Sequence, residues 1–547
     1  MKLDRTRIIF LVIIGITLVI ICGALGYNFY TNLTSSSAEE TTVEVSAQNT
    51  PGATADSAST PSVTLDSPEP VFGPNYDPED DLPQYICGAD AFVSYYTLQQ
   101  MQMSGVDISN GFHMGIVPFF LDDDPAYDVS EEQRTALLNS GQWDCLLTTL
   151  DSVALKSPGV ITAVVDESAG ADQLWARDVD TINDLKDKRI TFSRGSVGEY
   201  FVYYALSIAQ LSPRSNVTLV PQDSVAEAVE LFNSGQADVV SGWDPDIYEA
   251  EQGGGIPLLS SNQLRIVVDV IVTSRQSIAE DADLVQNFHN AWFETLKAQF
   301  EDTETAADQI ASWGHNDWSF IYPETAVDDF KVWLESVAQA DLGDNAFVMR
   351  DTRPLISRLE IARRVWAASD LAVPDDDVND LVNPGFVLRA ADRASLQANG
   401  SPVNDTFSIS SQLDLSGVTT GAAETLAVLP CRTFTFLPES TELTLESRRI
   451  LDSCVVPTLS QSVGLFLKVV GSSAWPANEP AYTEEEILEV AEGRAESVVE
   501  YLVSQGIDPA RFILEATLPP EERQNTDDPE LQRLDRFVEL TLITAGR

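Results

Sequence analysis

From Ile86 to about Val387 the chain alternates short apolar runs with longer amphipathic stretches, and that rhythm admits few folds. GFHMGIVPF, WDCLLTT, VITAVVD, QLWAR, RITFS, VTLV, ADVVSGW and RIVVDVIVTS are too short and too rich in β-branched residues to be helices, so they read as buried strands. Helical stretches such as Glu131–Ser140, Glu199–Gln210 and Ser224–Ser234 stand between them, and Asp283–Trp313, Glu324–Ala340 and Arg353–Ser369 read as helical too. Strands alternating with helices predict an α/β fold with mainly parallel sheets. Some 300 residues exceed one small core, which predicts two α/β lobes.

A second constraint lies at the N-terminus, where Ile8–Gly26 reads IIFLVIIGITLVIICGALG without one charge. At ~1.5 Å per residue this run spans a hydrocarbon layer of ~30 Å. A cleaved signal peptide, a buried core helix or lipidation at Cys22 are the competing readings. No small-residue cleavage pattern follows promptly, and the bulky Ile21 precedes the cysteine, so an uncleaved anchor is preferred. Lys2, Arg5 and Arg7 on the N-terminal side put the N-terminus in the cytoplasm and the bulk outside it, periplasmic or extracellular.

Residues 31–84 are rich in Ser, Thr, Pro and Glu, the composition of a disordered spacer. The expected organisation is therefore cytoplasmic N-terminus and anchor (1–30), spacer (31–84), bilobal domain (85–390), linker (391–424) and a last domain (425–547). That last domain reads as βαβαββ: strand CRTFTF, helix Thr444–Leu459, strand GLFLKVVG, helix Glu484–Ser504, and strands RFILEA and RFVELTLI. Of five cysteines, Cys87 and Cys145 share the first folded domain, and Cys431 and Cys454 the last. Four cysteines outside the membrane allow three connectivities, and the two within-domain disulfides are preferred; buried free thiols are the alternative for the second pair.

Eighty-five acidic against 32 basic residues give a formal charge of −53, which excludes nucleic acid as a partner. Enzyme signatures are missing: His113, His289 and His315 are far apart, and no metal-ligand, Walker or nucleophile-elbow motif occurs. No catalytic residue, metal or cofactor is expected. In an open α/β sheet ligands sit beyond the carboxyl ends of strands, where TTLD, DESAG, SRGS and GWDP fall. The ligand-site candidates are accordingly Tyr96, Thr149, Asp151, Ser168, Ser196, Trp243 and Asp244. Ser196 would suit an anionic or polar group, whereas Asp151, Asp166 and Asp244 would suit an amine or cation. Each hydroxyl could equally be a helix cap, each Asp a turn residue, and Trp243, Tyr95 and Tyr96 core or hinge packing.

Several ordered segments carry a resemblance. ALLNSGQWDCLLTTLDSVA, DESAGADQLWAR, INDLKDKRITFSRGSVGEYF and FNSGQADVVSGWDP resemble periplasmic substrate-binding proteins of the nitrate, sulfonate and thiamine-precursor type, the binding components of ABC importers. The resemblance covers about Tyr85 to Ala390 and implies a type II periplasmic-binding-protein fold, a small-molecule ligand and an ABC permease or envelope protein as partner. FTFLPESTELTLESRRILDS, EVAEGRAESVVEYLVSQGIDPARF and RLDRFVEL resemble the OmpA-like domain, which implies peptidoglycan binding with Arg494 on the ligand carboxylate. The chain departs from that pattern at Gly471-Ser472-Ser473-Ala474, where the family's ligand-binding aspartate is missing. A helix-surface charge pairing with Glu492 or Glu496 is the other reading of Arg494. The expected function is capture of a small polar molecule for import or sensing, with wall or partner docking by the last domain; the alternative is an envelope interaction protein that binds no ligand.

Overall fold

The computed structural model describes residues 67–121, 124–393, 396, 424–429, 436–462, 464–477 and 481–544. The expected anchor at 8–26 lies outside them; among the described residues no helix is long and apolar enough to cross a membrane.

Two sheets make up the first domain. One runs β1 (Val71–Phe72), β3 (His113–Pro118), β2 (Gln84–Ala89), β4 (Cys145–Thr149), β11 (Val268–Thr273), β5 (Val160–Ser168) and β12 (Val337–Gln339). The other runs β10 (Ile256–Ser260), β6 (Asp172–Ala176), β9 (Val239–Trp243), β7 (Arg189–Ser193) and β8 (Thr218–Gln222). Every residue of β3, β5, β6 and β11 is buried, which is why these strands read as continuous apolar runs rather than as alternating ones. All eight strands expected between Gly111 and Ser274 are present, with boundaries shifted by a few residues.

Three differences are informative. Val71 and Phe72 pair with Ile116 and Gly115, and Ser67 accepts a hydrogen bond from the Trp143 indole, so the fold begins inside the segment read as spacer. Residues 337–339, read as the end of a helix, instead form an edge strand on β5, because sheet pairing outweighs local helical periodicity. The long stretch Asp283–Trp313 divides into two helices, Ala282–Glu301 and Thr303–Ala311, where the Asp302 side chain caps the second by accepting from Thr305 N.

Cys87 and Cys145 sit opposite each other on the adjacent parallel strands β2 and β4, 4.5 Å apart at Cα, and form a disulfide. The bond closes a loop of 58 residues in sequence. Replacing both cysteines with Ser is expected to cost about 2–4 kcal/mol in urea unfolding, chiefly by freeing the unfolded chain. A loss below about 1 kcal/mol would mean that the link adds nothing to the sheet.

The last domain has the expected order of elements around a four-stranded sheet, β13 (Glu424–Val428), β18 (Val538–Thr544), β14 (Phe466–Ser472) and β16 (Phe512–Thr517). β15 (Trp475–Pro476) and β17 (Gln524–Thr526) form a small separate pair. Its first strand is ETLAV rather than CRTFTF, whose residues 431–435 lie outside the described residues, as does Cys431 of the expected Cys431–Cys454 pair. The domain rests on the second lobe. Asn183 exchanges two hydrogen bonds with the backbone of Val428, and the Tyr204 hydroxyl meets the Ser462 hydroxyl at 2.8 Å.

Candidate functional site

The chain passes from the first sheet to the second after β5 and returns before β11, so two crossover segments, 169–171 and 261–267, join the lobes. Ser168 and Ser261 tie them together: their hydroxyls lie 2.7 Å apart, and Ser261 Oγ accepts from the backbone N–H of Gly170 and Asp172. Ser168, expected as a ligand contact, is thus fully buried hinge structure.

Around this crossing the strand ends deliver five carboxylates. Asp166 lies near the end of β5, Asp269 is the second residue of β11 beside it in register, Asp172 begins β6, Asp244 follows β9, and Asp151 lies in the first turn of the helix Leu150–Lys156. All five are almost completely buried, from 0% exposure at Asp166 to 8% at Asp244. Nearby acids of the same region have counter-charges: Glu167 pairs with Arg358 at 3.1 Å, Asp90 with Arg134 at 2.8 Å, and Glu131 with Lys156 at 2.7 Å. Among the described residues no ion pair reaches Asp151, Asp166, Asp172, Asp244 or Asp269. Neither oxygen of Asp151 or of Asp166 accepts a hydrogen bond, and Asp244 Oδ1 accepts none. The Thr149 hydroxyl stands close to Asp151, and the Ser94 hydroxyl and the Asp269 carboxyl close to Asp166, each lowering its neighbour against the larger rise caused by burial.

A carboxylate held away from water without a partner resists ionisation. Burial raises Asp151, Asp166 and Asp244 to about 7 and Asp172 to about 6. Asp269 is driven well up, first by burial and then by the charge of Asp166, and it accepts from the Tyr95 hydroxyl. The charge on Asp172 raises all four of the others, so the five form one electrostatic unit. Aromatic side chains border it: Tyr95, Tyr96, Tyr200 and Trp366, whose indole donates to the Asp151 carbonyl at 3.0 Å. Tyr96, Phe92, Asp244, Phe320 and Trp333 line a pocket whose free space for water-sized spheres is about 20 Å³.

Of the seven expected contacts, Asp151 and Asp244 belong to this cluster and Tyr96 shares a pocket with Asp244. Thr149 precedes the helix that carries Asp151 and is half-buried. Trp243 is half-buried opposite Asp172 and packs on the smaller core of the second lobe. Ser196 is a cap: its hydroxyl accepts from Gly198 N and donates to Ser193 O at 2.6 Å. Asp172 and Asp269 were missing from the sequence reading. A lone acid within the apolar run VVDVIV was the available signal for Asp269.

In the last domain Arg494 is 1% exposed, and its guanidinium donates to the carbonyls of Ser440 (3.0 Å), Ser472 (2.8 Å) and Leu437 (3.3 Å). Burial, with the neighbouring charge of Arg536, pulls it down to about 10. It is buried rather than a surface charge, and its guanidinium is occupied by these three carbonyls. Arg494→Ala would orphan three carbonyls, and a loss of about 2–4 kcal/mol is expected in urea unfolding. A loss under about 0.5 kcal/mol would show that the network carries no stability.

Residues 160–306 match the family described as NMT1/THI5 like, a span that runs from β5 through the whole second sheet and back into the first lobe. Similar solved structures include the periplasmic aliphatic sulphonate binding protein SsuA from Escherichia coli, at 15% identity over 55% of this chain and 92% of that one, with a TM-score of 0.44. A putative periplasmic sulfonate-binding protein SsuA from Methylobacillus flagellatus KT matches at 16% over 59% and 98%, with a TM-score of 0.45. The periplasmic nitrate-binding protein NrtA from Synechocystis PCC 6803 matches at 14% over 59% and 91%, with a TM-score of 0.43. No curated protein matches the chain.

Proposed function

We propose that this chain is an extracytoplasmic solute-binding protein whose two α/β lobes capture a small polar molecule for an ABC importer or a sensor. One observation carries the reading: polar groups from both lobes, unpartnered and buried, converge where the two crossover segments join the sheets. Unsatisfied polar atoms cost stability, and a site that must leave them ready for a ligand is the common reason a fold retains them. The Cys87–Cys145 disulfide supports an oxidising compartment. The span matched by the NMT1/THI5-like family supports the same class.

Anchoring through residues 8–26 and an OmpA-like role for the last domain belong to the same proposal. Its support is the residue pattern alone. With Ala474 in place of the ligand-binding aspartate and Arg494 committed to carbonyls, docking to a protein is favoured over docking to peptidoglycan. A melting screen of the full chain against small polar solutes of either charge tests the capture function. At least one solute at millimolar concentration should raise Tm by several degrees. A flat response across anions, cations and neutral solutes would leave the non-binding interaction protein as the better description.

A further inference from the structure

Resting on the solute-binding reading, we infer that the captured molecule is a small organic amine cation, held by Asp151, Asp166, Asp172, Asp244 and Asp269 between the lobes. The sign of the site follows from what surrounds it. Among the described residues these five buried acids meet with no Lys or Arg paired to them, while the neighbouring acids Glu167, Asp90 and Glu131 each have one. An anion placed here would add a like charge to a low-dielectric site, which costs far more than in water. Asp151 is the independent sign of a ligand: it is more than nine-tenths buried, and neither of its oxygens accepts a hydrogen bond among the described residues.

The chemistry also distinguishes an amine from a metal ion. Among the described residues no group of three or more His, Cys, Asp or Glu converges closely enough to hold a metal. The acids instead stand among the buried aromatic side chains Tyr95, Tyr96, Tyr200 and Trp366, an apolar setting that suits the stem of an alkylammonium ion while the carboxylates take its charge. Without the cation the acids can be neutralised only by protons. The amine therefore replaces protons, and its binding at neutral pH releases them to the buffer.

The test uses the full chain at fixed ionic strength with putrescine, choline, ethanesulfonate, nitrate and magnesium chloride. Putrescine or choline should raise Tm by several degrees, while the anions and magnesium leave it unchanged. Asp166→Asn should weaken amine binding tenfold or more, whereas Glu515→Gln, in an exposed pair with Lys468 far from the crossing in sequence, should leave it intact. Calorimetry in two buffers of different ionisation enthalpy should show proton release on amine binding at pH 7, a readout that needs no variant. Stabilisation by ethanesulfonate, nitrate or magnesium with none by the amines would overturn the cation assignment and keep the capture function. No response to putrescine or choline would overturn the cation assignment and leave the capture function to the broader melting screen, and amine binding without proton release, or unaltered in Asp166→Asn, would move the amine away from these carboxylates.

Discussion

Asp151→Asn is expected to make the ligand-free protein more stable at pH 8, by on the order of 2–4 kcal/mol. The native carboxyl sits at about 7 against 3.8 in the unfolded chain, and burial is the principal cause. Below the unfolded value both states hold the proton and nothing is lost. As pH rises from about 4 to 7 the unfolded chain gives up its proton first, so the native state is progressively penalised. The penalty is complete above 7. Some three units at ~1.4 kcal/mol each set an upper bound near 4 kcal/mol, and the buried amide's own need for partners reduces it.

Asp172, Lys156, Thr149 and Tyr200 are the groups that face Asp151, and only Lys156 could offset its charge; it is already paired with Glu131. Urea unfolding of wild type and variant at pH 8 and pH 4.5 checks this. The gain should be large at the first and close to nothing at the second. Equal stability at pH 8 would mean that Asp151 has a counter-charge in solution and is not held in reserve. A stabilising substitution in a cleft is also a mark of function, since sites built for a ligand are seldom optimal without it.

Gly471→Ala should do the reverse and cost about 3 kcal/mol or more, because there is no room for a methyl group. An added Cβ at Gly471 would stand 1.9 Å from the Ala491 carbonyl oxygen and 2.9 Å from its carbon. These are backbone atoms in the middle of the helix Glu484–Ser504, which lies against β14, so relief requires the helix to lift from the sheet. Ile487, Ala491, Ala495 and Val498 on its inner face would lose contact together. Loss of the cooperative unfolding transition of the last domain, followed by circular dichroism, is the expected result. A variant within about 1 kcal/mol of wild type would show that the helix can shift freely. The glycine has this steric duty whether or not the domain binds a wall ligand.

Much of the architecture was legible because it rests on local chemistry. Strands buried on both faces need apolar runs, so VITAVVD and RITFS announce themselves, although β5 pairs antiparallel with β11 and β12 where mainly parallel sheets were expected; the acidic first turn of Glu484–Ser504 with its Thr483 capping box marks a helix start without reference to anything distant. Pairing across the chain was less visible. β1 has only two residues and β12 three, too few for any period, and each exists because a neighbouring strand offers it unpaired backbone groups.

The site divides the same way. Residue type alone marked Asp151 and Asp244 as acids at strand ends, and cysteines at 87 and 145 as one domain's pair. Tertiary structure alone brought Asp269 beside Asp166, turned the Ser196 hydroxyl to its own helix and buried Arg494 among carbonyls. Charge, apolarity and turn chemistry are properties of a residue and its near neighbours. Which carboxylates share a low-dielectric interior, and which guanidinium is already satisfied, depends on segments more than a hundred residues apart, or folded back as loops, meeting in one place.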